Sequence, residues 1–466
     1  MEHETTNRIG QDFTLPQLLK FVFPSILTNL FSQLFKTLDD GLFVSRFVGT
    51  TALAGLNILN PMHFFQFSLN NLFALGASNI SSRKMGEGKQ LEAKQVFTRV
   101  VISAFAIGGM VALLVNLFAH QLLTFLGADE ELIGIGLLSL RTVFLITPIS
   151  LVNVVFNSYY STAGKPSMGL LCSILNGSVN VICDIILIVI MKIGVIGACI
   201  ATVAGEVIVF IVGLLFFTNK KNEIYFVAPQ GEIVKTTLVS WKAGLPQFIN
   251  SFSLSFTALI VNYQLLRYVG NDGIAANSII TDLRRILSAG FFGYITCVGP
   301  IVSYNYGAHN RPRLKKLMLQ HITCWLGGAL LLTTLGLLLR NPMISIFLKE
   351  GENSKTFHDL TYYGLTLEFL GLIFFSGVTT FSRMLVAVNL QKASLVMAII
   401  RNLVLRVCLL LLLPKLLGSR GIWMVSPGCE MLTFCFAVFL FIKNKHEFGF
   451  GLPKNTMHSP ESGPSL

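Results

Sequence analysis

Twelve stretches of mostly apolar sequence, each long enough to cross a bilayer, leave this chain few ways to fold. They run roughly over 17–44, 53–81, 96–119, 132–158, 168–191, 195–218, 240–268, 275–304, 318–340, 358–387, 393–416 and 421–443. A spanning helix needs about 20 such residues. None of the runs shows the period-two alternation of a membrane barrel strand. Hydrocarbon offers no partners to backbone N–H and C=O groups, so the runs must satisfy them as helices. Charged residues make up 12% of the 466, about half the share of a soluble domain. The formal charge of +12 could attract nucleic acid. The basic residues, however, sit in short loops between runs, where they set topology, and no nucleic-acid partner is expected. The eight cysteines are scattered and form no disulfide or metal-ligand pattern. No cleavable signal is expected, because residues 1–15 are polar and the first run continues as a full span.

The loops divide by charge. Arg83, Lys84, Lys89, Lys94, Lys165, Lys220, Lys221, Arg311, Arg313, Lys392 and Lys443 fall on one side, whereas Glu130, Glu131, Glu350 and Glu352 fall on the other. Positive charge stays in the cytoplasm, so both termini are expected there, in keeping with an even number of spans. The polar stretch 219–239 splits the chain into six-run halves that look like copies. Pro24 and Pro246 open similar segments, Gly86 and Gly307 close similar spans, and Gly197 to Glu206 echoes Gly421 to Glu430. The expected plan is therefore all-α. A short tail over 1–15 precedes a lobe over 16–218, and a linker over 219–239 leads to a second lobe over 240–445 and a tail over 446–466. Two-lobed transporters carry substrate between their lobes.

The run containing Asn180 and Asp184 holds the most informative side chain. A carboxylate in hydrocarbon costs a few kcal/mol or more unless something neutralises it. Asn180 lies four residues before Asp184 and shares its helix face. A short turn then brings Ala198 and Thr202 back alongside. At about 1.5 Å per residue, Asp184 stands roughly 24 Å up its span, in the outer third of a core about 30 Å thick. Asp39 and Asp40 reach a similar level at the end of the first run. Neighbours on a helix point about 100° apart, so one of the two faces a shared cavity. Carboxylates, an amide oxygen, a hydroxyl and backbone carbonyls suit a hard cation. A proton on one of the acids is the other possibility.

Other polar residues reach membrane depth. Glu206 follows Thr202 by one turn and reads as a proton waystation or a protonated packing partner. Gln33, Asn153 and Asn157 suit an aqueous cavity for flat cationic molecules, with Glu206 beside them. Glu368 and Arg406 come out at similar depth and are expected to form a structural ion pair. Asp282 with Arg285 is a local i, i+3 pair.

Several segments resemble the multidrug and toxic compound extrusion (MATE) family. They are Phe43-Val44-Ser45-Arg46 with Gly49-Thr50, Gly76 to Arg83, Gly299 to Ala308, and Gly421-Ile422-Trp423 with Pro427 and Glu430. The resemblance implies a V-shaped, twelve-helix exporter of cationic and amphipathic compounds, acting as a monomer in the bacterial inner membrane. Entry of Na+ or H+ would drive it, with no bound cofactor and no enzymatic activity. It selects Asp40 over Asp39. Ser161 and Ser139 depart from the family's usual arginine and tyrosine, and no acid stands near Leu254. The ion site is therefore expected in the N-terminal lobe at Asp40, Asn180, Asp184, Ala198 and Thr202. A related flippase for lipid-linked sugars would need several cationic side chains at depth for a pyrophosphate, and only Arg401 and Arg406 lie well inside a span. A prenyl-transfer enzyme built on Asp39 and Asp40 would need a second acidic cluster to hold Mg2+.

Overall fold

Apolar runs of this length close their own backbone hydrogen bonds, and the computed structural model is helical nearly throughout residues 8–38, 59–128, 130–347 and 355–451, the residues it describes. The first lobe holds α1 (Leu15–Leu38), α2 (Asn60–Gly86), α3 (Gln90–Leu117), the short α4 (Ala119–Phe125), α5 (Glu130–Leu145), α6 (Thr147–Thr162), α7 (Pro166–Asp184) and α8 (Val195–Thr218). The second holds α9 (Ile233–Tyr268), α10 (Asn271–Gly307), α11 (Arg311–Phe347), α12 (Lys355–Ala387), α13 (Gln391–Ile399), α14 (Arg406–Leu417) and α15 (Ser419–Lys443). Two π-helical segments, Ile185–Ile190 and Ile400–Leu405, continue α7 and α13.

Among the described residues ten helices are long and apolar enough to cross a membrane, and up to eleven if a bent pair counts as one span. The bend of 48° falls between Gly136–Leu145 and Thr147–Thr162. Pro148 stands in the first turn of α6 and supplies no backbone N–H to continue α5. The remaining run, at α2, is more polar, and it packs along α9, α10, α3 and α6. α9 begins at Ile233, so the connection between lobes is shorter than the 219–239 that polarity alone indicates.

The repeat glycines have a structural role. Gly86 ends α2 and Gly307 ends α10, where the two lobes cross. A Cβ on Gly86 would fall 2.0 Å from the Tyr304 carbonyl oxygen, and one on Gly307 would fall 2.2 Å from that of Arg83. Small residues allow such close backbone approach. The segment before α1 lies across the same end. Ile9 is fully buried, Arg313 Nη1 donates to the Gly10 carbonyl at 2.6 Å, and Lys316 meets Asp12 at 2.8 Å.

Candidate ion and substrate site

Positive φ at Lys192 (54°) and Gly194 (77°) reverses the chain within a few residues, so α7 and α8 lie side by side and antiparallel. Asn176, Asn180 and Asp184 recur every fourth residue of α7 and share one face. Glu206, Thr202 and Ala198 do the same on α8. The Asn180 amide donates to the Thr202 hydroxyl at 3.5 Å, and that hydroxyl donates to the Ala198 carbonyl at 3.1 Å. Asp184 is fully buried and Asn180 nearly so. Asp184 is also the last residue before the π segment, and such segments occur often at functional sites.

One turn away, Asn153 Nδ2 of α6 donates to Glu206 Oε2 at 2.6 Å and to the Glu206 carbonyl at 2.9 Å. The Asn176 side chain bonds the same carboxylate. Asn176 escaped the sequence reading, although its spacing of four from Asn180 and eight from Asp184 marks it. Asn153 was expected to line the substrate cavity. Asn153 is 7% exposed, and its Nδ2 holds Glu206, the acid expected beside it, between helices. Asn157 is exposed and Gln33 partly so. α1 rises against α7, with the Phe35 ring over Gly177 and the Ser32 hydroxyl 2.9 Å from that of Ser173. Asp39 and Asp40 lie outside the described residues.

The second lobe corrects one expectation. Glu368 does not pair with Arg406. It lies 3.7 Å from Arg284 of α10, while Arg406 reaches Glu430 at 3.2 Å. Arg401 also holds Glu430, at 2.8 Å, and all three side chains are at least nine-tenths buried. Depth along a span fixes height but not direction, and Glu430 is an acid on the adjoining helix that accepts both guanidiniums. Arg401 also lies over the Phe375 ring, at 5.2 Å. Asn402, next in sequence, donates to Asn250 of α9. Asp282 and Arg285 pair as expected, at 3.0 Å.

Fold and site together define a helical, multi-pass membrane protein of two related lobes with a buried acid in the first. The chain belongs to the MatE family, whose model matches residues 24–186 and 246–412, once in each lobe. It is 23% identical over 413 residues to the multidrug export protein MepA of Staphylococcus aureus (strain bovine RF122 / ET3-1), covering 87% of this chain and 88% of that protein. MepA of Staphylococcus saprophyticus matches with the same identity and coverage. Among solved structures it resembles the outward-facing conformation of a multidrug resistance MATE family transporter of the MOP superfamily. The TM-score is 0.86 at 19% identity, over 96% of this chain and 100% of that one. It also resembles a MOP superfamily transporter from Pyrococcus furiosus described as having a binding pocket of reverse polarity. Here the TM-score is 0.87 at 20% identity, over 96% and 99%.

Proposed function

We propose that the protein is a secondary active exporter of cationic and amphipathic compounds, driven by inward movement of Na+ or H+ through alternating access. The observation that carries this reading is Asp184, fully buried at the junction of α7 with a π segment, beside Asn180, Thr202 and Ala198. A carboxylate at this depth is tolerated when an ion or proton neutralises it. Its charge state can therefore bias which arrangement of the lobes is favoured, because a ligand shifts an equilibrium by its differential affinity for the two states. Asp184 Oδ atoms, the Asn180 amide oxygen, the Thr202 hydroxyl and the Ala198 carbonyl form an oxygen set suited to a hard cation, with Asp40 as the expected second carboxylate. Gln33 and Asn157 would border the drug cavity. The membrane potential adds about 2.3 kcal/mol per charge per 100 mV. The monomer would sit in the cell membrane with both termini in the cytoplasm, as the basic loops indicate. A flippase for lipid-linked sugars finds less support, since Arg401 and Arg406 are committed to Glu430.

The test is ethidium efflux from proteoliposomes, driven by a sodium gradient alone and then by a pH gradient alone. Asp184→Asn is expected to abolish ion-driven efflux while the protein still inserts and folds. Full efflux from that variant at equal reconstitution would rule the site out.

A further inference from the structure

Glu206 and Glu430 occupy matching positions in the two copies, nine residues after Gly197 and Gly421. Glu430 is held by two guanidiniums. An arginine can only donate, so it fits the ionised carboxylate and disfavours the acid. Glu206 has a different setting. Its partners are the amides of Asn153 and Asn176, and among the described residues no cationic side chain comes within ion-pair distance. The titratable or charged side chains on its own helix and those packed against it include Arg141 of α5, Tyr159 and Tyr160 of α6, Cys172 and Asp184 of α7, and Cys199 of α8. None of these is among its hydrogen-bond partners. Arg141 is exposed. Asp184 lies two turns outward of Asn176, about 12 Å along the helix.

An amide, unlike a guanidinium, serves both charge states. Its NH2 donates to a carboxylate, and its C=O accepts from a carboxylic acid. Neutral donors also offset only part of the cost of a carboxylate at membrane depth. We infer that Glu206 is a proton-binding site distinct from the cation site at Asp184, loaded in one state of the cycle and emptied in the other. In loading, one O–H bond forms at Oε1 with a proton taken from water, and the side-chain charge goes from −1 to 0. Oε2 keeps its bond from Asn153, and Asn176 turns its carbonyl to the new donor. Emptying reverses each step. This deepens the exporter reading and rests on it for direction of flow, but the protonation itself can be measured without a drug.

The experiment is infrared difference spectroscopy on purified protein from about pH 5 to about pH 9, a range that covers documented buried glutamates. A carboxylic acid C=O band is expected in the wild type and is expected to fade as pH rises. It should be missing from Glu206→Gln and shifted in Glu206→Asp. A wild-type spectrum without that band overturns the inference, as does a band that never fades. In proteoliposomes, Glu206→Gln should flatten the pH profile of ethidium efflux, and a profile matching the wild type would also overturn it. Wild-type protein that moves no ethidium under either gradient would sink the exporter reading instead, while the infrared result still decides Glu206.

Discussion

At an offset of 224 residues the last helices of the two lobes correspond, Gly197 with Gly421 and Glu206 with Glu430. The C-terminal glutamate is 1% exposed and closed in by Arg401 and Arg406. The N-terminal one is partly exposed and touches amides. Duplication has preserved where the carboxylate sits but not what holds it. In the second lobe Glu430 is paired with two arginines of that same lobe. In the first, Asp184 and Glu206 stand on adjoining helices two turns apart, and the chain supplies hydroxyl, amide and carbonyl groups around them. The pairing separates a glutamate held by guanidiniums from one held by amides.

The largest expected effect breaks the closed half. Arg401→Ala leaves Glu430 underneutralised in a buried site, and removing one partner of such a pair costs about 3–5 kcal/mol. Its thermal midpoint in detergent should fall well below that of the wild type. Glu206→Gln keeps both amide contacts and should lie within about 1 kcal/mol of the wild type, the scale of one neutral hydrogen bond. Equal losses in the two variants would erase the contrast between lobes.

The glycine crossing gives a smaller, symmetric effect. An alanine at either Gly86 or Gly307 meets a backbone carbonyl of the other lobe at about the same distance. Overpacking of this kind costs about 1–3 kcal/mol. Gly86→Ala and Gly307→Ala should therefore lower the midpoint by similar amounts. A loss confined to one of them would show that the halves differ even where their backbones meet.

The glycines were readable as a repeat before any coordinates, and so were the spans, because both depend on one-dimensional spacing. The α7 face was readable for the same reason: four-residue spacing joins Asn180 to Asp184, and it should have added Asn176. The partners of Arg406 were not. Height along a helix can be counted from sequence, but the choice between Glu368 and Glu430 depends on rotation about the axis and on which helix is adjacent. The π segment beginning at Ile400 changes that rotation without any sequence mark. Pro148 breaks the run 132–158 into α5 and α6, but it leaves the hydropathy continuous, and hydropathy is what delimits a run. For Asn153 the sequence shows only an amide on a spanning helix, and such a group suits a cavity and a neighbouring acid equally well.

The smallest predicted effect concerns a second matched pair, Glu223 and Glu447, in the segments that follow the last helix of each lobe. Burial raises the Glu223 carboxyl above its ordinary value, with Lys94 nearby pulling the other way. A carboxyl raised on folding favours the folded state below its unfolded value of about 4.3, and that contribution is lost as pH rises through the folded value. At about pH 7 the ionised side chain is therefore a mild burden, and Glu223→Gln should raise the thermal midpoint slightly, with the gain gone near about pH 4. Glu447 instead accepts a hydrogen bond from the Tyr306 hydroxyl at 3.0 Å. Glu447→Gln weakens a charge-assisted bond and should lower the midpoint at neutral pH, by at most about 1 kcal/mol. Midpoints measured for both variants across that pH range check the signs. Shifts in the same direction would mean that these two segments, unlike the glutamates inside the lobes, use their matched acids alike.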